Sequence, residues 1–266
     1  MLYFVATPIG NLKDISYRAV EILNSVDLIA CEDTRHSLTL LNHYNIKKPL
    51  ISYHKFNEES GSDKIIAELL SGKEVAVISD AGTPLVCDPG EKLTKKLIEQ
   101  NIPFTVIPGA CAFVPALILS GLGNGKFYFY GFLPDKKSDI KREVDSLKDL
   151  ECPIIFYCAP HDLHKTVGYL YEFLGDRKCV AVRELTKIHE ERVEFNLKDG
   201  YPIENVKGEF VLVLEGGKKV LSFPDSIEEH LNTYLETGMS KMDAIKQVAK
   251  DRGVKKNDIY SYFFKD

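Results

Sequence analysis

The chain has 266 residues, 44% hydrophobic and 27% charged, the balance of a water-soluble protein with a sizeable core in one large domain or two ordinary ones. Its net charge of −5 gives no global attraction to nucleic acid, so contact with a polyanion must rest on a local patch. No apolar run is long enough to span a bilayer, and "MLYFVATPIG" starts on a strand with no basic region before it, unlike a signal peptide, so a cytoplasmic protein without membrane contact is expected. Cys31, Cys87, Cys111, Cys152, Cys158 and Cys179 show no C-x-x-C spacing and read as small buried hydrophobes in a reducing compartment. The histidines are scattered, and no metal site is predicted.

Apolar runs of strand length alternate with helix-period segments from the first residues. "LYFVA" precedes "ISYRAVEILNS", "VDLIA" precedes "SLTLLNHY", and "PLISY" precedes "DKIIAELLSG". "EVAVIS" and "PFTVI" lead in the same way to "EKLTKKLIEQN" and "AFVPALILSG". Five such units predict an α/β domain over 1–121, with a parallel sheet covered by helices on both faces. "GLGNGK" reads as a break. A mixed α/β domain over 122–219 follows, built from "FYFYGFLP", "SDIKREVDSLKDL", "CPIIFYC", "DLHKTVGYLYEFLG", "KCVAVREL" and "GEFVLVLEGG". A purely helical tail over 220–266 completes the chain.

In open α/β sheets, ligands bind outside the carboxyl ends of the strands. Four of those ends are unusual here: "TPIGN", "CEDTRH", "SDAGTPLVCDPG" and "PGACA". Small residues let a ligand approach the backbone, and prolines hold a loop without an ordering cost at binding. Neither G-x-x-x-x-G-K-[ST] nor G-x-G-x-x-G is present. These corners therefore predict a small polar ligand that is not a polyphosphate.

Together with "YGFLP", "RELTK" and "KGEFVLVLEG", these loops resemble, in order and over nearly the whole chain, the small-subunit ribosomal RNA (cytidine-2′-O)-methyltransferases, a branch of the tetrapyrrole methylase superfamily. The resemblance implies two α/β domains with S-adenosylmethionine as methyl donor in the cleft between them, and a cytoplasmic homodimer. It implies that Asp80, Ala81, Gly82 and Thr83 line the donor site, with Pro108, Gly109 and Ala110 beside them and Pro8 and Ala159 closing it. It implies ribosomal RNA, free or in the assembled small subunit, as acceptor. One stretch departs: the family pattern "FYEAPHRL" is here "FYCAPHDL", with Cys158 and Asp162 replacing an acid and a base.

A ribose hydroxyl must lose its proton during methyl transfer, so a general base is sought. Glu32 and Asp33, at a strand end on the ligand edge, are the candidates, although an acid before a helix often only caps it. Lys13 and Arg35 are candidates for target phosphates, His54 for a base or stacking partner, and Arg183 and Glu184 for shaping the acceptor side. "DAIKQVAKDRGVKKNDIYSYF" reads as helix, turn, helix, with Ala249 at the crossing, Gly253 at the turn, and Val254, Ile259 and "SYFF" in the core. From Ser240 to Asp266, seven Lys or Arg face four Asp, a net +3 suited to phosphate contact. The alternatives are a porphyrinogen C-methyltransferase, or a non-catalytic RNA-binding protein with a vestigial donor pocket.

Overall fold

The computed structural model describes residues 1–204, 206–217 and 223–263. Contacts divide the chain into two compact units, Met1–Gly217 and Lys218–Asp266.

In the first unit, five apolar runs form β1 (Leu2–Val5), β2 (Leu28–Cys31), β3 (Leu50–Ser52), β4 (Val75–Ile78) and β5 (Phe104–Ile107). They pair in parallel in the order β3-β2-β4-β1-β5. The helices α1 (Tyr17–Ser25), α2 (Thr34–His43), α3 (Glu58–Leu70) and α4 (Glu91–Glu99) supply the crossovers that parallel pairing requires. Every residue of β2 and β4 is buried. One face packs Phe4, Leu28 and Val77 against Ile65 and Ile66 of α3 and Leu93 and Leu97 of α4. The other packs Val5, Ile29 and Ile78 against Leu23 of α1 and Leu41 of α2. Burial on both sides is why these strands read as unbroken apolar runs.

The second sheet joins β6 (Tyr128–Phe132), β7 (Ile154–Cys158), β8 (Lys178–Arg183), β9 (Glu191–Asn196) and β10 (Phe210–Leu214) in the order β6-β7-β10-β8-β9. β6 and β7 run parallel, while β10 is antiparallel to both of its neighbours and β9 to β8. α6 (Lys137–Asp145) and α7 (Leu163–Leu174) cover one face. The other face is covered by α5 (Phe113–Ser120), which follows β5 of the first sheet in the chain. Ala116 of α5 is fully buried with Ile155, Val180, Val182 and Val213. No strand is expected at "ERVEFN", which forms β9: an edge strand with alternating burial offers no apolar run to find.

The second unit holds α8 (Ile227–Glu236), α9 (Lys241–Arg252) and α10 (Lys256–Phe263). Gly253 ends α9 in the left-handed region at φ 63°, which a side chain enters only with strain. Leu231, Ile245, Val248, Ala249 and Ile259 form the core. Two expectations fail here. Val254 is 43% exposed, because the turn uses its amide to bond the Ala249 carbonyl and turns its side chain to solvent. Tyr262 of "SYFF" is 62% exposed, and Phe264 lies outside the described residues. Arg252 works inside the tail: it donates to His230 Nδ1 at 3.2 Å and to the Ser226 carbonyl at 2.9 Å. Burial and this guanidinium push the His230 imidazole below its ordinary pKa.

Candidate active site

All five strands of the first sheet end on one edge, where their loops are bonded to one another. Thr7 and Gly82 exchange backbone hydrogen bonds of 2.8 and 3.1 Å. The Thr7 hydroxyl donates to the Ser79 carbonyl at 3.2 Å, and the Thr83 hydroxyl to the Ala110 carbonyl at 3.0 Å. The loops after β1, β4 and β5 thus form one body. Gly82 has φ 87°, with Ile9 Cγ2 3.3 Å from the place a Cβ would take. Leu85 and Cys87, both at φ 71°, hold the left-handed region without being glycine. Such strain persists only where the surroundings over-determine the backbone, and it clusters at ligand sites.

Across from this edge lies the corresponding edge of the second sheet, and a cleft of about 430 Å³ separates them. Ile9, Asp80–Thr83, Val86–Asp88, Cys111 and Ala112 line one wall; Tyr157–Pro160, Leu185 and Glu209–Val211 line the other. Asp80, Asp88 and Glu209 contribute carboxylates, and among the described residues no Lys or Arg lines the cleft. The Asp88 carboxyl is pushed up to about 7, first by burial and then by the charges of Glu32 and Asp80, with a hydrogen bond from Ser79 opposing. The Glu32 carboxyl is raised by burial and by Asp80, against the influence of His54. Carboxylates crowded in a half-buried site favour a cationic partner.

The residues singled out in the sequence separate into groups. Asp80, Ala81, Gly82, Thr83 and Ala159 line the cleft. Pro8 lines an adjoining cavity. Pro108, Gly109 and Ala110 line neither cavity: Pro108 and Gly109 are exposed, a Cβ on Gly109 would come within 2.8 Å of Ala6 Cβ, and the Ala110 carbonyl accepts from Thr83 at 3.0 Å. Asp33 caps α2, its carboxylate accepting from the amides of Arg35 at 2.8 Å and His36 at 3.4 Å, while its own amide donates to Asp80 Oδ1 at 3.1 Å. Glu32 sits in a narrow crevice with Tyr53, Ser79 and Asp88. Lys13 and Arg35 are exposed, and Arg35 pairs with Asp33 at 3.5 Å. Arg183 faces β9, pairing with Glu191 at 2.6 Å. Glu184, at φ 51°, accepts from Lys187 Nζ at 2.9 Å and from the Glu209 amide at 3.2 Å. At the departure from the family pattern, Cys158 is buried and lines the cleft, and Asp162 pairs with His161 at 3.2 Å.

Asp88, Glu209, Tyr157, Cys87 and Cys111 were not singled out for the site. Cys87 is exposed and Cys111 half-buried, against the expectation of burial, because both face the cleft. Asp88 lies within the quoted loop, and its place beside a second acid was the available signal. Glu209 gave none: it immediately precedes β10, and only the antiparallel pairing of Phe210 with Cys158 and Arg183 carries a strand's beginning to an edge made of strand ends.

Two α/β sheets around a carboxylate-lined cleft, with donor loops at strand ends, define a class. Residues 1–199 match the model of the family Tetrapyrrole (Corrin/Porphyrin) Methylases, and the chain belongs to that family. It is 41% identical to Ribosomal RNA small subunit methyltransferase I of Bacillus subtilis (strain 168), over 99% of this chain and 94% of that protein. It is 42% identical to the protein of the same name from Synechocystis sp. (strain ATCC 27184 / PCC 6803 / Kazusa), over 98% of this chain and 96% of that one. Among solved structures, the fold is similar to uroporphyrin-III C-methyl transferase from Thermus thermophilus complexed with S-adenyl homocysteine, with a TM-score of 0.56 and 16% identity over 80% of this chain and 96% of that one. The chain is thus an S-adenosylmethionine-dependent methyltransferase.

Proposed function

We propose that the chain methylates the ribose 2′-hydroxyl of a cytidine in small-subunit ribosomal RNA, working as a cytoplasmic homodimer. The observation that carries the reading is a cleft with three carboxylates and, among the described residues, no lysine or arginine, in a chain similar over nearly its full length to proteins named for that RNA. Such walls suit a sulfonium and would repel a polyphosphate. Bound there, S-adenosylmethionine supplies a methyl group already activated by its positive sulfur. Asp80, Ala81, Gly82, Thr83 and Ala159 would hold it, with Pro8 at the near end and Pro108, Gly109 and Ala110 bracing the wall. The protein's main task is alignment, which contributes roughly 7–11 kcal/mol at best.

For the acceptor, the edge offers features suited to RNA. Phe56, 96% exposed, stands near His54 with ring centres 6.1 Å apart, an arrangement that can stack an unpaired base. Lys13 and Arg35 supply phosphate contacts at this edge, the basic tail supplies phosphate contacts of its own, and Arg183 and Glu184 fix the loop of the second sheet. With Asp33 spent on capping α2, Glu32 is the remaining candidate of the sequence pair for handling the hydroxyl proton. The homodimer is supported by apolar side chains exposed between 106 and 128: Val106, Val114, Ile118, Phe127 and Tyr128. Large apolar side chains left in water suit an interaction surface.

Labelled donor supplied with either undermethylated small subunits or a porphyrinogen tests the reading. Label is expected on the RNA, at one position made resistant to alkaline cleavage. Label on the porphyrinogen alone would end it.

A further inference from the structure

A second cavity, of about 370 Å³, is lined by the loop after β1, the first turns of α2, Lys187 and Glu209. It shares Ile9, Asp80, Ala81 and Glu209 with the donor cleft, so the two spaces meet along these four residues. Methyl transfer needs donor and acceptor in contiguous space, and only this partition separates the two. The volume lies near the lower end of small-ligand sites, roughly 300–1,000 Å³, which suits one nucleoside and is tight for a macrocycle.

The cavity also holds a polar group without a partner. Ser37 is 2% exposed and lines the cavity, yet its hydroxyl finds no nitrogen or oxygen partner and has only the weak acceptor of the Cys31 thiol beside it among the described contacts. A buried hydroxyl left unpaired is costly, and such groups are retained where something else completes them. Thr7, Asp80 and the apolar Pro8, Ile9 and Leu40 line the same cavity. His36 and Thr39, both exposed, form the rim. Lys187 is fixed there by Glu184 at 2.9 Å and Glu209 at 3.7 Å. Asp80 in turn is oriented by the Asp33 amide.

We propose that this cavity receives the target nucleoside of an RNA, turned out of its stack, with the Ser37 hydroxyl bonded to it and Asp80 facing the reacting hydroxyl. As the oxygen–carbon bond forms and the carbon–sulfur bond breaks with its electron pair left on sulfur, the hydroxyl proton passes to Asp80, which lines this cavity and takes the role given above to Glu32, a residue of the neighbouring crevice. Enzymes that act on one nucleotide commonly extrude it into such a pocket. The assignment rests on RNA being the substrate.

Thr39→Trp fills the cavity from its rim without touching the donor cleft. It should lower kcat/KM on undermethylated small subunits about 30-fold, while S-adenosylhomocysteine binds within about twofold of wild type. Ser37→Ala should cost about tenfold in kcat/KM with Tm unchanged or higher, because an unpaired buried group is removed. Asp80→Asn should lower kcat on small subunits at least about tenfold, and turnover at the wild-type rate would overturn its role as proton acceptor. Thr39→Trp or Ser37→Ala turning over at the wild-type rate would overturn the proposal. A second measurement stands apart from activity on ribosomes: cytidine 5′-monophosphate titrated calorimetrically into the S-adenosylhomocysteine complex should bind wild type and be lost in Thr39→Trp, and equal binding by both would overturn the pocket. Wild-type protein inert toward small subunits would instead remove the RNA reading.

Discussion

The two sheets face one cleft but present their chemistry differently. In the first, all strands run the same way, so the loops after β1, β2, β4 and β5 gather on one edge by necessity and are cross-bonded there by Thr7, Gly82 and Thr83. In the second, the antiparallel β10 brings Glu209 to the same edge as the ends of β7 and β8. The first sheet gives the cleft its backbone shape; the second adds single side chains. The first wall thus carries the stiffness and two of the three carboxylates, Asp80 and Asp88, and the second adds Glu209.

Substitutions can break or sharpen this contrast. The largest effect is expected from Gly82→Val, which forces a β-branched residue to φ 87° against Ile9. About 2–4 kcal/mol of stability should be lost, along with measurable binding of S-adenosylmethionine in a calorimeter; retained affinity would mean that the first-sheet loops do not shape the cleft.

Next comes Asp88, whose carboxyl is held near 7 in the fold and titrates near its ordinary value when unfolded. The native state binds the extra proton, so this group lowers stability as pH rises from about 4 to about 7, after which the effect is constant. Asp88→Asn should therefore match wild type in urea melts at pH 4 and exceed it at pH 8 by roughly 1–2 kcal/mol, screening by water having reduced the effect. A difference independent of pH would contradict the assigned cause. A bound sulfonium favours the ionised carboxyl, so donor binding near neutral pH should release a proton and tighten as pH rises.

The smallest effect belongs to Glu209→Gln on the second wall. Its side chain is 78% exposed, so donor affinity should fall only about two- to fivefold at low salt, and the loss should shrink in 0.5 M salt. A hundredfold loss would show that the second wall matters as much as the first.

Legibility in the sequence followed the same division. The apolar runs and turn clusters of residues 2–107 announce a parallel sheet, and with it the location of "SDAGTPLVCDPG" on the ligand edge, because strand direction is implied by the alternation of strand and helix. β9 was missed because "ERVEFN" has the alternation of a half-exposed edge strand. Glu209 was missed because nothing in "KGEF" states which way the following strand runs. The side-chain roles were less visible than the backbone. Asp33 caps a helix, and its amide rather than its carboxylate orients Asp80, a distinction that depends on which atom points where.

The crossover from β5 to α5 carries one more implication. A strand of one sheet is followed at once by a helix seated on the other, and the link between them, Pro108 to Ala112, borders the cleft at Cys111 and Ala112. Any opening of the cleft must turn about that short span. The hinge and the binding wall are then the same few peptide units, so a molecule gripped there also sets the angle at which the two halves rest.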